Sequence, residues 1–430
     1  MFWLFYNAVF SVIFLFLTPH FLWRMRRRGG YRKDFSQRFG RYDAATLTGF
    51  KGSGDQRPIW VHAVSVGEMQ VGFQFVAAMR AVDPDARFVL SCATSTAHAL
   101  AEKRLSDEDT LIYFPIDWPP IMRRVLDQMT PRRIVLVDTE VWPNLLRLAG
   151  QRGIPASLIN GRISDRSYRR MQKVRWLTRR VYPMLRHAFM QSEADTQRII
   201  GLGADRNKVF TLSSAKYDVE LPDDAVVAAA RDALSSVGLA GKRVLLGAST
   251  WPGEEALLFA SWLELRERFP DVALVLVPRH FEKVPQMLQS VDWKGVPVRC
   301  RKEEGLSLPA GEGDPVYVVN TTGEMMAFMA VANWVVVGKS FDPYGAGQNP
   351  IEPAALGKPV LMGPGVSNFR RVVDELVAEG AMVVSDQPAT ILAEWMGDES
   401  ATRSMGENAR KAVDTRRGAL AESVKQLGAG

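Results

Sequence analysis

Two acidic segments in the sequence could supply the base of a chemical reaction. In WVHAVSVGEMQ, Ser65, Gly67 and Glu68 follow an apolar, strand-like run, and Gly67 would let a ligand approach the backbone closely. In VLVDTEVWPN, Asp138 and Glu140 end a similar run. A carboxylate in hydrogen-bond contact with a bound hydroxyl can take up its proton. Glu68 could equally cap the helix that follows, and the second pair could be an ordinary solvated strand end.

Other segments carry groups that suit an anionic ligand. Asn160 and Arg162 follow a strand-like run in LINGRISDRS, and Arg279 comes immediately after another such run in VLVPRH. Arginine binds phosphate or carboxylate through two parallel hydrogen bonds, although a surface salt bridge would explain Arg279 equally well. TTGEMM places Gly323 at an expected helix start, where backbone N–H groups attract anions. Polar residues also follow two further strand-like runs, in GASTWPGEE and in the glycine-rich segment GKSFDPYGAGQNPIEP.

The elements that must position these residues form a βα rhythm. From Pro58 onward, short β-rich runs alternate with helical patterns, which is typical of a parallel sheet covered by helices. The rhythm breaks at KYDVELPDD, and a second series follows it. We therefore predict two doubly wound α/β domains, with ligands bound outside the carboxyl ends of the strands in a cleft between them. The predicted divisions are an anchor with its basic flank (1–33), a first domain (34–217), a linker (218–224), a second domain (225–400) and a C-terminal helix (401–430).

The N-terminus predicts attachment to a membrane. Its first 23 residues are almost wholly apolar, and six cations follow between Arg24 and Lys33. A cleaved signal peptide would carry its charge before the apolar run, so we expect the segment to be retained. Positive flanks collect on the cytoplasmic side, which places the rest of the chain there. The segment could instead pack on the protein's own body. The basic, aromatic stretch over residues 162–187 would suit anionic lipid.

Composition and missing motifs exclude several classes of protein. With 430 residues, 47% apolar and 23% charged, the chain is typical of a folded protein of two to three domains. Its two cysteines form no disulfide framework, and its net charge is only +7. The sequence contains neither a phosphate-binding G-x-x-x-x-G-K-[ST] loop nor an H-E-x-x-H metal motif. We therefore predict no metal site and no nucleic-acid partner, and we expect His62, His98 and His187 to be structural.

Together the motifs resemble one known family. The order HAVSVGE, TEVWPN, NGRISDRS, KYD, ASTWPGEE, VPRH, TGE, NPIEPAALGKPVLMGP is similar to that of the 3-deoxy-D-manno-octulosonic acid (Kdo) transferases of lipopolysaccharide assembly. The resemblance covers nearly the whole chain. It implies an α/β protein with the GT-B glycosyltransferase fold, two Rossmann-like domains facing a cleft, and an N-terminal membrane-anchor helix. It also implies inverting, metal-independent transfer of Kdo from CMP-Kdo to a lipid A precursor at the cytoplasmic face of the inner membrane, with no cofactor besides this donor.

The resemblance also implies roles for individual residues. Glu68 matches the general base, Glu140 matches a second acidic residue, and Lys216 matches a lysine that stabilises charge in the transition state. The resemblance and the polar strand ends described above together give the predicted donor-binding residues. They are Ser249, Thr250, Pro278, Arg279, Thr322, Gly323, Glu324, Asn349, Pro350, Ile351 and Glu352. The predicted acceptor or sugar contacts are Ser65, Gly67, Asn160 and Arg162.

The chain departs from the family pattern on the nucleotide-sugar side. Ser213 and Ser214 stand where Gly-Asn is usual, and residues 345–348 replace an expected Gly-Gly-His. Asp342 and Tyr344 are also atypical there. Two alternatives therefore stay open: a divergent lipid-directed GT-B enzyme that uses another nucleotide sugar, and a membrane-attached binding protein without catalysis.

Overall fold

The computed structural model describes residues 1–28 and 34–428, and their backbone forms two compact units. Unit 1 comprises Met1–Asp218 and Gly418–Gly430, and unit 2 comprises Val219–Arg417. Residues 29–33, which hold the end of the predicted basic flank, lie outside the described residues. Each unit contains one parallel seven-stranded sheet with helices around it. The predicted α/β class with two doubly wound domains is therefore confirmed.

The sheet of unit 1 has the strand order β3-β2-β1-β4-β5-β6-β7. Its strands are β1 (Ile59–His62), β2 (Phe88–Cys92), β3 (Thr110–Tyr113), β4 (Arg133–Val137), β5 (Ala156–Gly161), β6 (His187–Met190) and β7 (Val209–Thr211). Its helices are α1 (Phe2–Arg28), α2 (Ala44–Gly49), α3 (Val66–Val82), α4 (Ser95–Glu102), α5 (Pro119–Met129), α6 (Pro143–Gln151), α7 (Asp165–Lys173), α8 (Arg175–Val181) and α9 (Glu193–Gly201). The carboxyl ends of β1, β4 and β5 are neighbours at one edge of the sheet.

The sheet of unit 2 has the corresponding order β10-β11-β9-β8-β12-β13-β14. Its strands are β8 (Arg243–Thr250), β9 (Val272–Pro278), β10 (Val298–Cys300), β11 (Val316–Val318), β12 (Trp334–Val337), β13 (Val360–Met362) and β14 (Met382–Val384). Its helices are α10 (Asp224–Ser235), α11 (Glu254–Arg266), α12 (Val284–Ser290), α13 (Met325–Val331), α14 (Ile351–Ala355), α15 (Arg370–Ala378), α16 (Pro388–Gly397) and α17 (Glu399–Asp414). In this unit β8 lies between β9 and β12, so their carboxyl ends are adjacent.

The strands are short and rich in β-branched residues because helices cover both faces of each sheet. Every residue of β1, β2 and β12 is buried, as expected of a parallel sheet that is shielded from solvent on both sides. His62 illustrates the consequence: it is fully buried in β1, its ring stacks on Phe114, and burial lowers its pKa to about 3. It is therefore a neutral core residue at physiological pH.

The predicted C-terminal helix is two helices that belong to different units. Helix α17 lies in unit 2, and the last helix, α18 (Ala419–Gly428), lies in unit 1. The carboxylate of Asp218 accepts the backbone N–H groups of Gly418 and Leu420, which ties the start of α18 to the end of the first segment. Leu420, Val424 and Leu427 are buried in the same cluster as residues of α3. The end of the chain thus completes the core behind the β1–α3 turn.

Helix α1 is apolar and packs against unit 1 through one face. Its stretch Phe2–Pro19 has a mean hydropathy of 1.7 and is long enough to cross a membrane by length and composition. The Phe2 ring lies 5.5 Å from Trp176, and the guanidinium of Arg180 lies 4.4 Å over it. The Nε1 of Trp118 donates a hydrogen bond to Ser11, while apolar residues of the other face, such as Leu4, Phe5 and Val9, are exposed. The N-terminal half therefore contacts the protein's own body and leaves an apolar surface free.

Candidate active site

Strained backbone marks the carboxyl ends of the central strands in both units. Asp138 directly follows β4, and Asn160 lies near the end of β5, with φ values of 60° and 53°. In unit 2, Ser249 lies near the end of β8 and Lys339 lies just after β12, with φ values of 52° and 60°. Left-handed conformations are unfavourable for residues other than glycine, and they concentrate at functional sites. These strand ends are those at which the sequence predicted ligand-binding residues.

Glu68 caps the helix on which it lies. The Ser65 side chain is the N-cap of α3 and accepts the backbone N–H of Glu68 at 3.4 Å. In return, the Glu68 carboxylate accepts the N–H of Val64 at 2.8 Å and the hydroxyl of Ser65 at 2.9 Å. This reciprocal arrangement resembles a capping box, except that the backbone N–H accepted by Glu68 is that of Val64, the residue before the N-cap. The capping interpretation of Glu68 is correct, yet each carboxylate oxygen keeps a free lone pair for a further hydrogen bond.

Three carboxylates share one edge of the sheet of unit 1. The pKa of Glu140 is raised to about 7, first by burial and then by the charges of Glu68 and Asp138. Burial and the charge of Glu68 likewise raise the pKa of Asp138 to about 6, against the opposing effect of Arg162. Like charges that face each other disfavour ionisation, so Asp138 and Glu140 hold their protons to a higher pH than isolated carboxyl groups do. Strongly shifted pKa values of this kind are typical of catalytic sites.

Asn160, Arg162 and Lys216 surround the same carboxylates. The Asn160 side chain donates to Asp138 at 2.6 Å and accepts the N–H of Ala215 at 2.9 Å, which holds the chain next to Lys216. Arg162 lies 3.7 Å from the second oxygen of Asp138. Desolvation and the neighbouring charge of Arg162 lower the pKa of Lys216, while Asp138 opposes this effect. Two cations are thus placed against the acidic cluster.

The structure therefore brings the predicted residues of the first domain together at one edge of one sheet. They are Ser65, Gly67, Glu68, Glu140, Asn160, Arg162 and Lys216. A Cβ atom built on Gly67 would meet no other atom within 4 Å, so the space beside this turn is open. Asp138, which was noted in the sequence but not chosen as a site residue, is the contact that links the carboxylates to the cations.

In unit 2, a buried carboxylate holds the glycine-rich segment to the end of β8. Glu254 is 2% exposed, and it accepts four backbone N–H groups. Its Oε1 accepts those of Ser340 and Phe341, and its Oε2 accepts those of Trp251 and Lys339. The segment GASTWPGEE was noted in the sequence as a polar strand end, but this role of Glu254 was not predicted. The available signal was the Gly-Glu-Glu run three residues after the end of β8.

The predicted donor-binding residues of unit 2 lie on several adjacent strand ends. Burial raises the pKa of Glu352, whereas a hydrogen bond with Asn349 and the charge of Arg279 oppose the rise, so these three side chains are neighbours. Although burial favours the neutral acid, hydrogen bonds from Arg301 and Thr321 keep the pKa of Glu324 below its ordinary value. Arg301 binds Glu324 in a salt bridge of 3.0 Å, and that carboxylate is therefore already partnered.

Other predicted residues of unit 2 have mainly structural contacts. Thr250 is buried, and its hydroxyl donates to Glu255 at 2.8 Å. The Ser249 hydroxyl contacts the Met325 sulfur at 3.2 Å, and Ile351 is fully buried in the core. Of the remaining predicted residues, Pro278 is half-buried and Thr322 and Gly323 are exposed. Pro350 is buried and is the N-cap of α14.

No group of three or more His, Cys, Asp or Glu side chains within residues 1–28 and 34–428 is placed to hold a metal ion.

A cavity of about 250 Å³ lies beside the end of β8 and is lined by Thr250, Glu255, Pro278 and His280, among others. Glu255 is 3% exposed, and its Oε2 has no hydrogen-bond partner among the described residues. Burial raises its pKa accordingly.

Comparison with known proteins decides the family. Residues 33–219 match the sequence profile described as 3-Deoxy-D-manno-octulosonic-acid transferase (kdotransferase). The 3-deoxy-D-manno-octulosonic acid transferase of Bordetella pertussis is 30% identical over 443 residues, and the match covers 98% of this chain and 98% of that protein. The chain belongs to the Kdo transferase family. The resemblance in its motifs is thus confirmed, and so is the prediction that it is a glycosyltransferase.

Further relatives agree with this assignment. The Kdo transferase of Haemophilus influenzae is 26% identical, and its match covers 83% of this chain and 81% of that protein. Among solved structures, the UDP-GlcNAc 2-epimerase from Neisseria meningitidis bound to UDP-GlcNAc has a TM-score of 0.54 at 13% identity and covers 85% of this chain and all of its own. Anabaena Alr3699/HepE in complex with UDP has a TM-score of 0.52 at 15% identity, with coverages of 86% and 98%. These two likenesses show that the chain has a GT-B-like fold.

Proposed function

We propose that this glycosyltransferase transfers Kdo from CMP-Kdo to a hydroxyl group of a lipid A precursor in lipopolysaccharide synthesis. The observation that carries the proposal is the cluster of Glu68, Asp138 and Glu140 at one sheet edge, with Arg162 and Lys216 beside it. A binding protein would have no need of three neighbouring carboxylates, two of which have raised pKa values, Asp138 and Glu140. Family membership at 30% identity over nearly the full length supports the donor and the acceptor class.

In the proposed reaction, Glu68 is the general base of a single displacement. Its carboxylate takes the proton of the acceptor hydroxyl while the hydroxyl oxygen forms a bond to the anomeric carbon of Kdo. The bond from that carbon to the phosphate oxygen breaks, and the electron pair leaves with CMP, so that the configuration inverts. The capping hydrogen bonds from Val64 and Ser65 hold the Glu68 carboxylate in one orientation. Glu140 can store or release a proton, since its pKa is about 7.

On the donor side, we propose that unit 2 binds CMP at the ends of β8, β9 and β12. Arg279 follows β9 directly and is exposed, with Asn349 and Glu352 as its neighbours. Its planar guanidinium suits the phosphate of the donor, and the amide and carboxyl groups suit ribose or base hydrogen bonds. Positive charge placed at the leaving phosphate would stabilise the transition state. We propose that the chain's own cations supply this charge and that no metal or other cofactor takes part.

The N-terminal helix, together with the bacterial Kdo transferase relatives, indicates association with a membrane. We propose that this is the inner membrane and that both units lie on its cytoplasmic face, where positive flanks collect. The exposed apolar face of α1 would contact lipid tails. The cations of α7 and α8, such as Arg170 and Arg179, would contact anionic head groups. We propose no nucleic-acid partner.

Incubation of the detergent-solubilised enzyme with CMP-Kdo and a tetra-acylated lipid A precursor, followed by mass spectrometry of the lipid, tests the proposal. A mass increase of one or more Kdo units is expected in the wild type, with or without EDTA, and none in E68A. Competition by CMP but not by UDP would separate this function from that of a UDP-sugar transferase. An unmodified lipid, with CMP still bound, would overturn the proposed donor or acceptor.

A further inference from the structure

Lys339 has a backbone conformation that its residue type disfavours. Its φ value of 60° lies in the left-handed region, where the Cβ of a lysine is crowded and glycine is the usual residue. The surrounding structure imposes this conformation from both sides. The N–H of Lys339 donates to Glu254 at 2.7 Å, and its carbonyl accepts the N–H of Gly347 at 2.7 Å. The preceding residue, Gly338, is packed so closely that a Cβ there would lie 2.6 Å from the backbone oxygen of Ser249.

The Lys339 side chain is directed over the end of β8 and has no acidic partner. Its Nζ lies 4.4 Å from the centre of the Trp251 ring. Within the described part of unit 2, no carboxylate lies within salt-bridge distance of it, and the nearby Glu254 uses both oxygens for backbone N–H groups. The residue is half-buried. An ammonium group that stacks on an aromatic face can still donate hydrogen bonds to an anion.

The surroundings of this lysine form one surface with the proposed donor-binding strand ends. The rings of His280 and Tyr344 lie 5.1 and 5.3 Å from that of Trp251, and the Tyr344 hydroxyl donates to Pro252 at 2.9 Å. Arg279, which precedes His280, leaves β9 on one side of β8, and Lys339 leaves β12 on the other. Two cations therefore flank the end of the central strand of this sheet.

We propose that Lys339 binds an anionic oxygen of the nucleotide-sugar donor and is a specificity-determining residue of this enzyme. The inference rests on the proposed function, in which unit 2 binds a donor that carries two anionic groups, the phosphate of CMP and the carboxylate of the sugar. Arg279 binds one of these two anionic groups, and Lys339 binds the other. A left-handed lysine without an acidic partner is explained by this role, because glycine would satisfy the backbone alone.

The test is a comparison of K339G with K294G in the full-length, detergent-solubilised enzyme. Lys294 is also a left-handed lysine of unit 2, with a φ of 49°, but its ammonium binds Asp292 on the exposed surface. Each variant removes one positive charge and one left-handed lysine. Each should melt within about 2 °C of the wild type, because the exposed ion pair of Lys294 and the single aromatic contact of Lys339 contribute little and glycine suits the left-handed backbone. K339Q, which keeps a long polar side chain, provides a second variant.

Dissociation constants for CMP and for CMP-Kdo, measured by calorimetry, distinguish the anions. K339G and K339Q are expected to bind CMP-Kdo about tenfold or more weakly, whereas K294G binds it normally. A loss for CMP-Kdo alone identifies the sugar carboxylate as the partner, and an equal loss for CMP identifies the phosphate. Wild-type affinity of K339G for both ligands would overturn the inference. If the wild type binds CMP but forms no glycolipid, the proposed function fails while the CMP comparison still tests Lys339.

Discussion

Replacing Glu254 by glutamine tests how the glycine-rich segment of unit 2 is held. The carboxylate accepts four backbone N–H groups, two on each oxygen. A glutamine side chain has only one acceptor oxygen, so two N–H groups must face its NH₂ group in either orientation. The less costly orientation leaves the half-buried N–H groups of Trp251 and Lys339 without partners. At about 1–3 kcal/mol for each of these two unsatisfied groups, the substitution should cost about 2–6 kcal/mol.

Hydrogen exchange read by mass spectrometry measures this loss where it occurs. Local opening of residues 338–341 should become easier by the same free energy, so their amides should exchange about 30-fold faster or more. E255Q is the matched control. Glu255 is buried to the same extent, and its one side-chain hydrogen bond, the hydroxyl of Thr250, can still be accepted by the amide oxygen of glutamine. Equal protection of the segment in the two variants would refute the reasoning.

Three further predictions concern unit 1 and the N-terminus. Because the pKa values of Asp138 and Glu140 are raised to about 6 and about 7, the folded state binds more protons than the unfolded chain. As the pH rises from about 5 to about 8, the wild type should therefore lose stability relative to E140Q, measured as the difference between their urea midpoints of unfolding. A difference that stays the same over this pH range would contradict the prediction. G67L should block acceptor binding without lowering the melting temperature, since the space beside Gly67 is open. The control G161L should destabilise the protein, because a Cβ at that position would lie 2.6 Å from the Met190 sulfur. Deletion of residues 1–23 should release the protein from the membrane fraction, and full retention there would show a second attachment.

The sequence predicted that Glu68, Glu140 and Asn160 lie near one another, because each follows or ends a strand of one parallel sheet; their roles in the reaction stay predictions. Residues that follow β1, β4 and β5 must meet, since these strands are neighbours in a parallel sheet. The alternation of strands and helices predicts that topology, and the polar residues after each strand then predict the cluster. Glu68 shows the limit: its residue type and position suited both a cap and a base, and the structure shows a cap that retains free lone pairs.

The features that the sequence did not predict depend on backbone angles and on burial. Residue type gives no indication that Lys339 is left-handed, because the hydrogen bonds that impose this angle come from Glu254 and Gly347. Likewise Glu254 and Glu255 are identical in type and adjacent in sequence. They differ only in which backbone groups each carboxylate reaches in the folded protein. Helix α1 was predicted as an anchor with self-packing as the alternative, and in the structure one face packs on unit 1 while the other stays exposed.

The most direct test of the central claim is the rate of Kdo transfer by E68Q, measured at saturating donor and acceptor beside the Kd for CMP. Glutamine keeps the size of the side chain and one capping acceptor but cannot take a proton. We expect kcat to fall about 10²- to 10⁴-fold with the Kd for CMP unchanged, because the proposed base lies in unit 1 and the proposed nucleotide site lies in unit 2. A kcat close to that of the wild type would contradict the assignment of Glu68 as the base.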